Sequence, residues 1–295
     1  MRILITGANG QLGKCLQEQA KSKENTYLFA SHDILDITKE DDVMKFFNEN
    51  DINIVINCAA YTKVDDANKE AMDAYRCNVI GPQNLAIACK KYKATLIHIS
   101  SDYIFDGTKN KPYKTNDEEF YWGINAYGQT KLEGEEVIHN VNCNSIIIRT
   151  SWLYSEFGNN FLKTMYNRIK NGIETKVVND QVGTPTYAQD LAIFLVDIIE
   201  NNSFKKHLNS VYHFTNEGVC SWYDFAKVIE ILMDKEGIIK PCTTQEYGNK
   251  TPRPSYSVLD KTITKADFNI TIPYWIDSVA KCLEILQNKD ITQKE

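Results

Sequence analysis

Several protein classes are excluded by what this sequence lacks. No stretch is apolar for long enough to span a membrane as a helix. There is no run of basic residues, and the net charge of −6 argues against nucleic acid as the main partner. There is no internal repeat and no low-complexity segment. The eight cysteines include no Cys-x-x-Cys pair. That fits reduced thiols on apolar faces better than a disulfide frame or a zinc site, and no metal is expected. Met1 to Thr6 runs straight into a strand, so the expectation is no signal peptide and a cytoplasmic location.

What is present is enough apolar material for a full core, 43% of 295 residues, in one large domain or two smaller ones. Arg2 to Thr6 reads as a short apolar strand. Gly7-Ala8-Asn9-Gly10-Gln11-Leu12-Gly13 follows, then a helix from about Gln11 to Lys21. Strand, glycine turn and helix form the dinucleotide-binding arrangement, in which glycines admit a pyrophosphate and the helix N-terminus stabilises its charge. The spacing is Gly-x-x-Gly-x-x-Gly, not the tighter Gly-x-Gly-x-x-Gly. A second strand, about Thr26 to Ala30, ends in Ser31-His32-Asp33. Asp33 lies 20 residues past Gly13 (33 − 13) and is either a ribose ligand or a solvated turn residue. Thr38 is the expected N-cap of a helix from about Lys39 to Asn50.

Ile52 to Cys58 is nearly continuously apolar, as a parallel strand buried on both faces would be. It ends in Asn57-Cys58-Ala59-Ala60-Tyr61-Thr62, small residues that either admit a cofactor or simply pack closely. A helix from roughly Lys69 to Tyr92 carries Asn78, a brace for the site or a backbone partner. The strand Thr95 to Ser100 carries His98, read as a buried, hydrogen-bonded side chain. Ser101 stands at its carboxyl end, and the polar, aromatic loop 108–126 is a candidate substrate lip.

Tyr127 and Lys131 open the next helix. Residues four apart share a helix face, so hydroxyl and ammonium can point at one spot. A free tyrosine holds its proton to a pKa of about 10, and a nearby ammonium is expected to lower that value. The pair can then serve proton transfer to a carbonyl or alcohol oxygen as hydride reaches the carbon. Tyr166–Lys170 and Tyr223–Lys227 share the spacing, so spacing alone does not choose among them; the preceding chain favours Tyr127.

In this order, Thr6-Gly7-x-x-Gly10-x-x-Gly13, the small-residue strand end, Ser101 and Tyr127–Lys131 resemble an extended short-chain dehydrogenase/reductase. Four stretches narrow the resemblance: Asn57-Cys-Ala-Ala-Tyr-Thr-Lys-Val-Asp65, Ser101-Asp-Tyr-Ile-Phe-Asp-Gly107, Arg149-Thr-Ser-Trp-Leu-Tyr154 and Asn179-Asp-Gln-Val-Gly-Thr-Pro-Thr186. They look like the dTDP-4-dehydrorhamnose reductase family, over essentially the whole chain. Ser101 departs from that family's usual threonine but keeps the hydroxyl.

The resemblance implies an α/β fold, a doubly wound, Rossmann-type parallel sheet with a smaller α/β substrate-binding lobe. Residues 1–150 and about 188–206 would form the nucleotide domain. Residues 151–187 and 207–289 would form the lobe, and 290–295 a mobile tail. It implies NADPH or NADH as cofactor and a dTDP-linked 4-ketosugar as substrate, and it allows a homodimer. By resemblance Tyr127, Lys131 and Ser101 are catalytic. The cofactor would lie against Gly7, Asn9, Gly10, Gln11, Leu12, Gly13, Ser31, Asp36 and Ile37 on the first strands. Cys58, Ala59, Ala60, Tyr61, Asn78, Ser100, Tyr127 and Lys131 would complete its site. The sugar nucleotide would meet Thr62, Val64, Ser101, Tyr103, Trp152, Asn160 and Arg253. For Trp152 the rival reading is a structural tryptophan, and for Arg253 a surface arginine. A nucleotide-sugar epimerase, a reductase of another 4-ketosugar, or a non-catalytic subunit with this fold would carry the same residues.

Overall fold

The computed structural model describes residues 1–117, 124–248 and 251–292. In chain order the first half holds β1 (Arg2–Thr6), α1 (Gln11–Ala20), β2 (Thr26–Ala30), α2 (Glu40–Asn50), β3 (Ile54–Asn57), α3 (Ala71–Tyr75), α4 (Gly81–Tyr92), β4 (Thr95–Ser101), α5 (Ala126–Val141) and β5 (Ser145–Thr150). Then come β6 (Leu153–Tyr154), α6 (Phe161–Lys170), β7 (Thr175–Val178), β8 (Val182–Gly183), β9 (Thr186–Tyr187), α7 (Ala188–Glu200) and β10 (Ser210–His213). The chain closes with β11 (Cys220–Ser221), α8 (Trp222–Leu232), β12 (Ile239–Cys242), α9 (Thr244–Tyr247), α10 (Thr262–Phe268) and α11 (Trp275–Thr292).

Six strands form one parallel sheet in the order β10-β5-β4-β3-β1-β2. Its strands are apolar because both faces are covered, and the two-residue period sorts their side chains between two cores. Ile3 and Ile5 pack with α1 and α7, while Leu4 points to the opposite face with Phe47 and Leu85. Strand order reverses between β1 and β3, so the crevice beyond their carboxyl ends is where an open α/β sheet binds ligands. A third core, built on Tyr154, Leu162, Phe225, Ile229 and Trp275, holds the smaller lobe together. Among the described residues, no helix is long and apolar enough to cross a membrane.

Four expectations need correction. First, β10 pairs with β5 in the large sheet, and Phe268 and Ile272 join the core beneath it. These residues therefore belong with the nucleotide side, not with a lobe beginning at 207. A four-residue strand looks alike in any sheet; only its pairing partner, about 60 residues away in the chain, assigns it. Second, Thr38 does not cap α2. Its N–H and Oγ1 both donate to Asp36, at 3.0 and 2.7 Å, and Lys39 takes the N-cap position without a side-chain bond. Third, the helix through Asn78 is interrupted by a π-turn, Arg76–Ile80, between α3 and α4. Fourth, α11 continues to Thr292, past the expected start of a mobile tail at 290, because Asp290 is fastened to Tyr166 Oη at 2.5 Å and to Lys170. Residues 118–123 of the expected substrate lip and 293–295 of the tail lie outside the described residues.

Candidate active site

One end of the cleft is set by β1 and the turn after it. Gly7 sits at φ +64°, and a Cβ there would lie 2.6 Å from the Ala59 backbone nitrogen. Only glycine lets the two strand ends come this close. Helix α1 then follows Gly10 as its N-cap, with no side-chain cap and no acidic residue in its first turn. Its first N–H groups are left for an anion, and Gly10, Gln11, Leu12 and Gly13 line a cleft of about 540 Å³.

Cys58 and Ala60, beyond β3, line the same cleft, and so does Ser100, whose buried Oγ has no hydrogen-bond partner among the described residues. Other predicted cofactor residues stand behind the lining or outside it. Asn9 is exposed; Ser31 is at the tip of β2, and Asp33 is exposed in the turn beyond. Burial raises the Asp36 carboxyl, but its two bonds from Thr38, together with nearby His32 and Lys39, hold its pKa below the ordinary value. Ile37 is buried against Gly81. Ala59 packs on Gly7. Asn78, inside the π-turn, accepts from the Tyr61 N–H at 2.9 Å and donates to Tyr61 O and Thr130 Oγ1, both at 3.1 Å. It thereby ties the end of β3 to α5, a bracing role of the kind π-turns often serve.

The middle of the cleft is built by β4 and α5. Asn125 caps α5 by accepting from the Gly128 N–H at 3.0 Å, which sets the helix start and aims Tyr127 and Lys131 into the cleft. Ser101, at the end of β4, lines the cleft beside Tyr127, and Tyr103 packs edge-on against the Tyr127 ring at 5.5 Å. The expected lowering of the Tyr127 pKa is not found. Burial pushes it up to about 12; the Ser101 hydroxyl works against this and Asp102 adds to it. Lys131 is itself buried, donates to the Ile99 carbonyl at 2.8 Å, and is brought down to about 8 by burial, with Glu135 and Cys58 opposing. Tyr127 therefore starts as a protonated acid at neutral pH, the form a carbonyl reduction requires.

The other two Tyr–Lys pairs engage carboxylates away from this cleft. Tyr166 and Lys170 both engage Asp290, and Lys227 pairs with Glu230 beside Tyr223. His98 is fully buried, as expected.

The opposite wall comes from the lobe. Trp152 adopts φ +47°, and its indole stacks on Trp222 with centroids 3.7 Å apart. Gly183 makes room: a Cβ there would lie 2.7 Å from Trp152 Cε2. Phe161 tilts against Trp222 at 4.6 Å. Thr62, Val64 and Tyr103 complete this side of the cleft. Arg253 reaches its rim, with Nη2 bonded to Asp65 at 2.7 and 2.9 Å. Asn160 caps α6 and donates to Gln11 Oε1 at 2.8 Å. Ser155 Oγ donates to the same Gln11 oxygen at 3.1 Å, so the glycine loop is bonded directly to the lobe.

Trp222 and Asp102 also line the cleft and were not singled out from sequence. Asp102 accepts from Ser101 Oγ at 3.2 Å; burial raises its pKa to about 7, with bonds from Ser257 and Ser101 opposing. A signal for Asp102 existed in its place next to Ser101 at the strand end. Trp222 had none, because its partner is 70 residues away (222 − 152).

With this geometry in hand, comparison with known proteins is informative. The model of the family described as "RmlD substrate binding domain" matches residues 1–288. The chain is 38% identical to the spore coat polysaccharide biosynthesis protein SpsK of Bacillus subtilis, covering 96% of this chain and 97% of that protein. It is 39% identical to the dTDP-4-dehydrorhamnose reductase of Aggregatibacter actinomycetemcomitans, covering 93% and 95%. The crystal structure of a dTDP-4-dehydrorhamnose reductase from Clostridium acetobutylicum superposes with a TM-score of 0.91 at 44% identity, over 97% of this chain and 100% of that one. That of Bacillus anthracis dTDP-4-dehydrorhamnose reductase in complex with NADP gives 0.89 at 38%, over 96% and 98%.

Proposed function

The chain belongs to the RmlD substrate-binding-domain family, and from that premise we propose that it reduces the C4 ketone of dTDP-4-dehydro-L-rhamnose to dTDP-L-rhamnose, the last step in making that sugar nucleotide. The observation that carries the reading is the convergence of Ser101, Tyr127 and Lys131 in one cleft, with the uncapped glycine loop at one end and the Trp152 wall at the other.

The residues present fit a nicotinamide dinucleotide. The glycine approach at Gly7, the free N–H groups of α1 and the partnerless Ser100 hydroxyl are a cradle for its phosphates and sugars. When bound, the cofactor supplies hydride to C4. Tyr127 donates its proton to the C4 oxygen, and Ser101 orients that oxygen by hydrogen bonding. Lys131 fixes the reacting end of the cofactor site and neutralises charge left on Tyr127. Trp152 holds the deoxysugar, with Thr62, Val64 and Tyr103, and Arg253 draws the diphosphate to the rim. The tip of β2 has no arginine to select a 2′-phosphate and only the exposed Asp33 to bind a ribose, so both NADPH and NADH serve. The nucleotide domain takes residues 1–150 with α7, β10 and α10, and the lobe takes the rest of the second half.

The test is the purified protein with a panel of dTDP-4-ketosugars, followed by nicotinamide absorbance. Stoichiometric oxidation of NADPH with dTDP-4-dehydro-L-rhamnose, yielding dTDP-L-rhamnose, is expected. Turnover without net cofactor oxidation would mean an epimerase, and no turnover would remove the enzyme reading.

A further inference from the structure

Behind the reacting groups runs a buried polar chain that no step above uses. Thr6 Oγ1 donates to Asn57 Oδ1 at 2.7 Å, and the Ala59 backbone N–H donates to the same oxygen at 3.2 Å. A backbone N–H can only donate, so it fixes which way the Asn57 amide points. The amide nitrogen is then the group 3.0 Å from His98 Nδ1. That nitrogen also can only donate, so Nδ1 accepts and the imidazole proton resides on Nε2. Nε2 faces Lys131 Nζ at 3.3 Å, while Nζ donates to the Ile99 carbonyl at 2.8 Å. Thr6, Asn57 and His98 are all buried, so water offers no alternative partner.

We propose that His98 is a positioning residue for Lys131: it presents an N–H, not a lone pair, to Nζ, and so weakens the hold of Lys131 on its proton. The inference rests on the role given to Lys131 above. An ammonium has donors only, so opposite Nε2–H two donors meet; a neutral amine has a lone pair to accept that hydrogen. The chain from the Ala59 amide therefore favours the neutral amine by one hydrogen bond. Burial acts in the same direction, and burial with the nearby Lys131 charge also keeps His98 neutral. The groups that act the other way are Glu135, one turn along α5 and itself held by Arg149 of β5, and Cys58 beyond β3; Tyr127, one turn earlier on α5, faces the cleft in its neutral form. Burial brings Lys131 down to about 8; the Nε2–H of His98 adds to that lowering, so cofactor capture is expected to be sensitive to pH in that range.

Two measurements test this. Long-range 1H–15N correlation of the histidine rings in the intact protein, with His98→Gln for assignment, should show His98 neutral and protonated on Nε2. A proton on Nδ1, or an imidazolium at pH 7, overturns the proposal. The Kd for NADPH, measured by nicotinamide fluorescence across pH, should rise on the alkaline side. In His98→Leu that limb should move up by about one unit, the worth of a single hydrogen bond. A limb that stays in place in a folded variant with reduced Tm would make His98 merely structural and overturn the tuning role. If the Leu variant does not fold, the tautomer in the unmodified protein still decides. Failure to reduce any dTDP-ketosugar would remove the functional reading without touching the ring measurement.

Discussion

Helices α5 and α6 carry the same Tyr-x-x-x-Lys spacing and meet opposite fates. In α5 the shared face looks across the end of β4 into a cleft, where Ser101 lies beside the tyrosine and a backbone carbonyl holds the lysine. In α6 the shared face looks at α11, and both side chains close on Asp290. Spacing decides only that two groups share a face. What the face meets decides whether they do chemistry, and that is a property of the sheet and the chain crossing, not of the helix.

The largest effect that would break this comparison is at the tyrosines. Tyr127→Phe should cut kcat by about 10² or more, the usual contribution of general acid catalysis, with cofactor affinity little changed. Tyr166→Phe should leave kcat near normal. Steady-state assays of the two side by side decide it, and near-normal turnover in the Tyr127 variant would erase the distinction between the helices.

The wall facing α5 sharpens the point. Trp152→Ala should lower kcat by about tenfold as well as raise KM, because a loosely held ring presents its carbonyl badly. Arg253→Ala should raise KM several-fold, to about tenfold, with kcat preserved, since the diphosphate carries the same charge in ground and transition states. If Trp152→Ala is kinetically silent, the stack on Trp222 is structural only. Cofactor choice should show no exclusion: NADH and NADPH should both bind and differ by less than about a thousandfold, some 4 kcal/mol, in titrations of both.

The smallest effect is thermodynamic. Lys131 has a depressed pKa in the folded chain, about 8 against 10.5. Between those values the unfolded chain binds more protons, so stability rises with pH through that window; below pH 8 the buried ammonium carries its full cost. Lys131→Met should therefore show its greatest gain in Tm over the parent at pH 6 to 7, and the gain should shrink towards pH 10. Lys170→Met, on the half-exposed pair, should show no such gain. Thermal melts at several pH values compare them.

The sheet strands, the glycine loop and α5 were legible in the sequence because each is a local run: continuous apolar residues, a glycine spacing, a shared helix face. The candidate site was legible where its residues stand at strand ends or on that face, as with Ser101, Tyr127 and Cys58. The sheet membership of β10 was not, because it depends on pairing with β5. The Trp152–Trp222 stack was not, because no local pattern marks two indoles from distant segments. The direction of the Tyr127 shift was misjudged for a related reason: spacing shows a neighbouring lysine, but not the burial that pushes the tyrosine up.

Gln11 bears on how such proteins can be recombined. Its side-chain oxygen takes bonds from Ser155 and Asn160 of the lobe while its backbone opens α1. The two units are therefore not interchangeable modules. A chimera that joins this nucleotide unit to a relative's lobe inherits one side of this joint. It should recover a well-seated cleft only when the donor lobe brings partners for Gln11, or when the loop travels with the lobe it was fitted to.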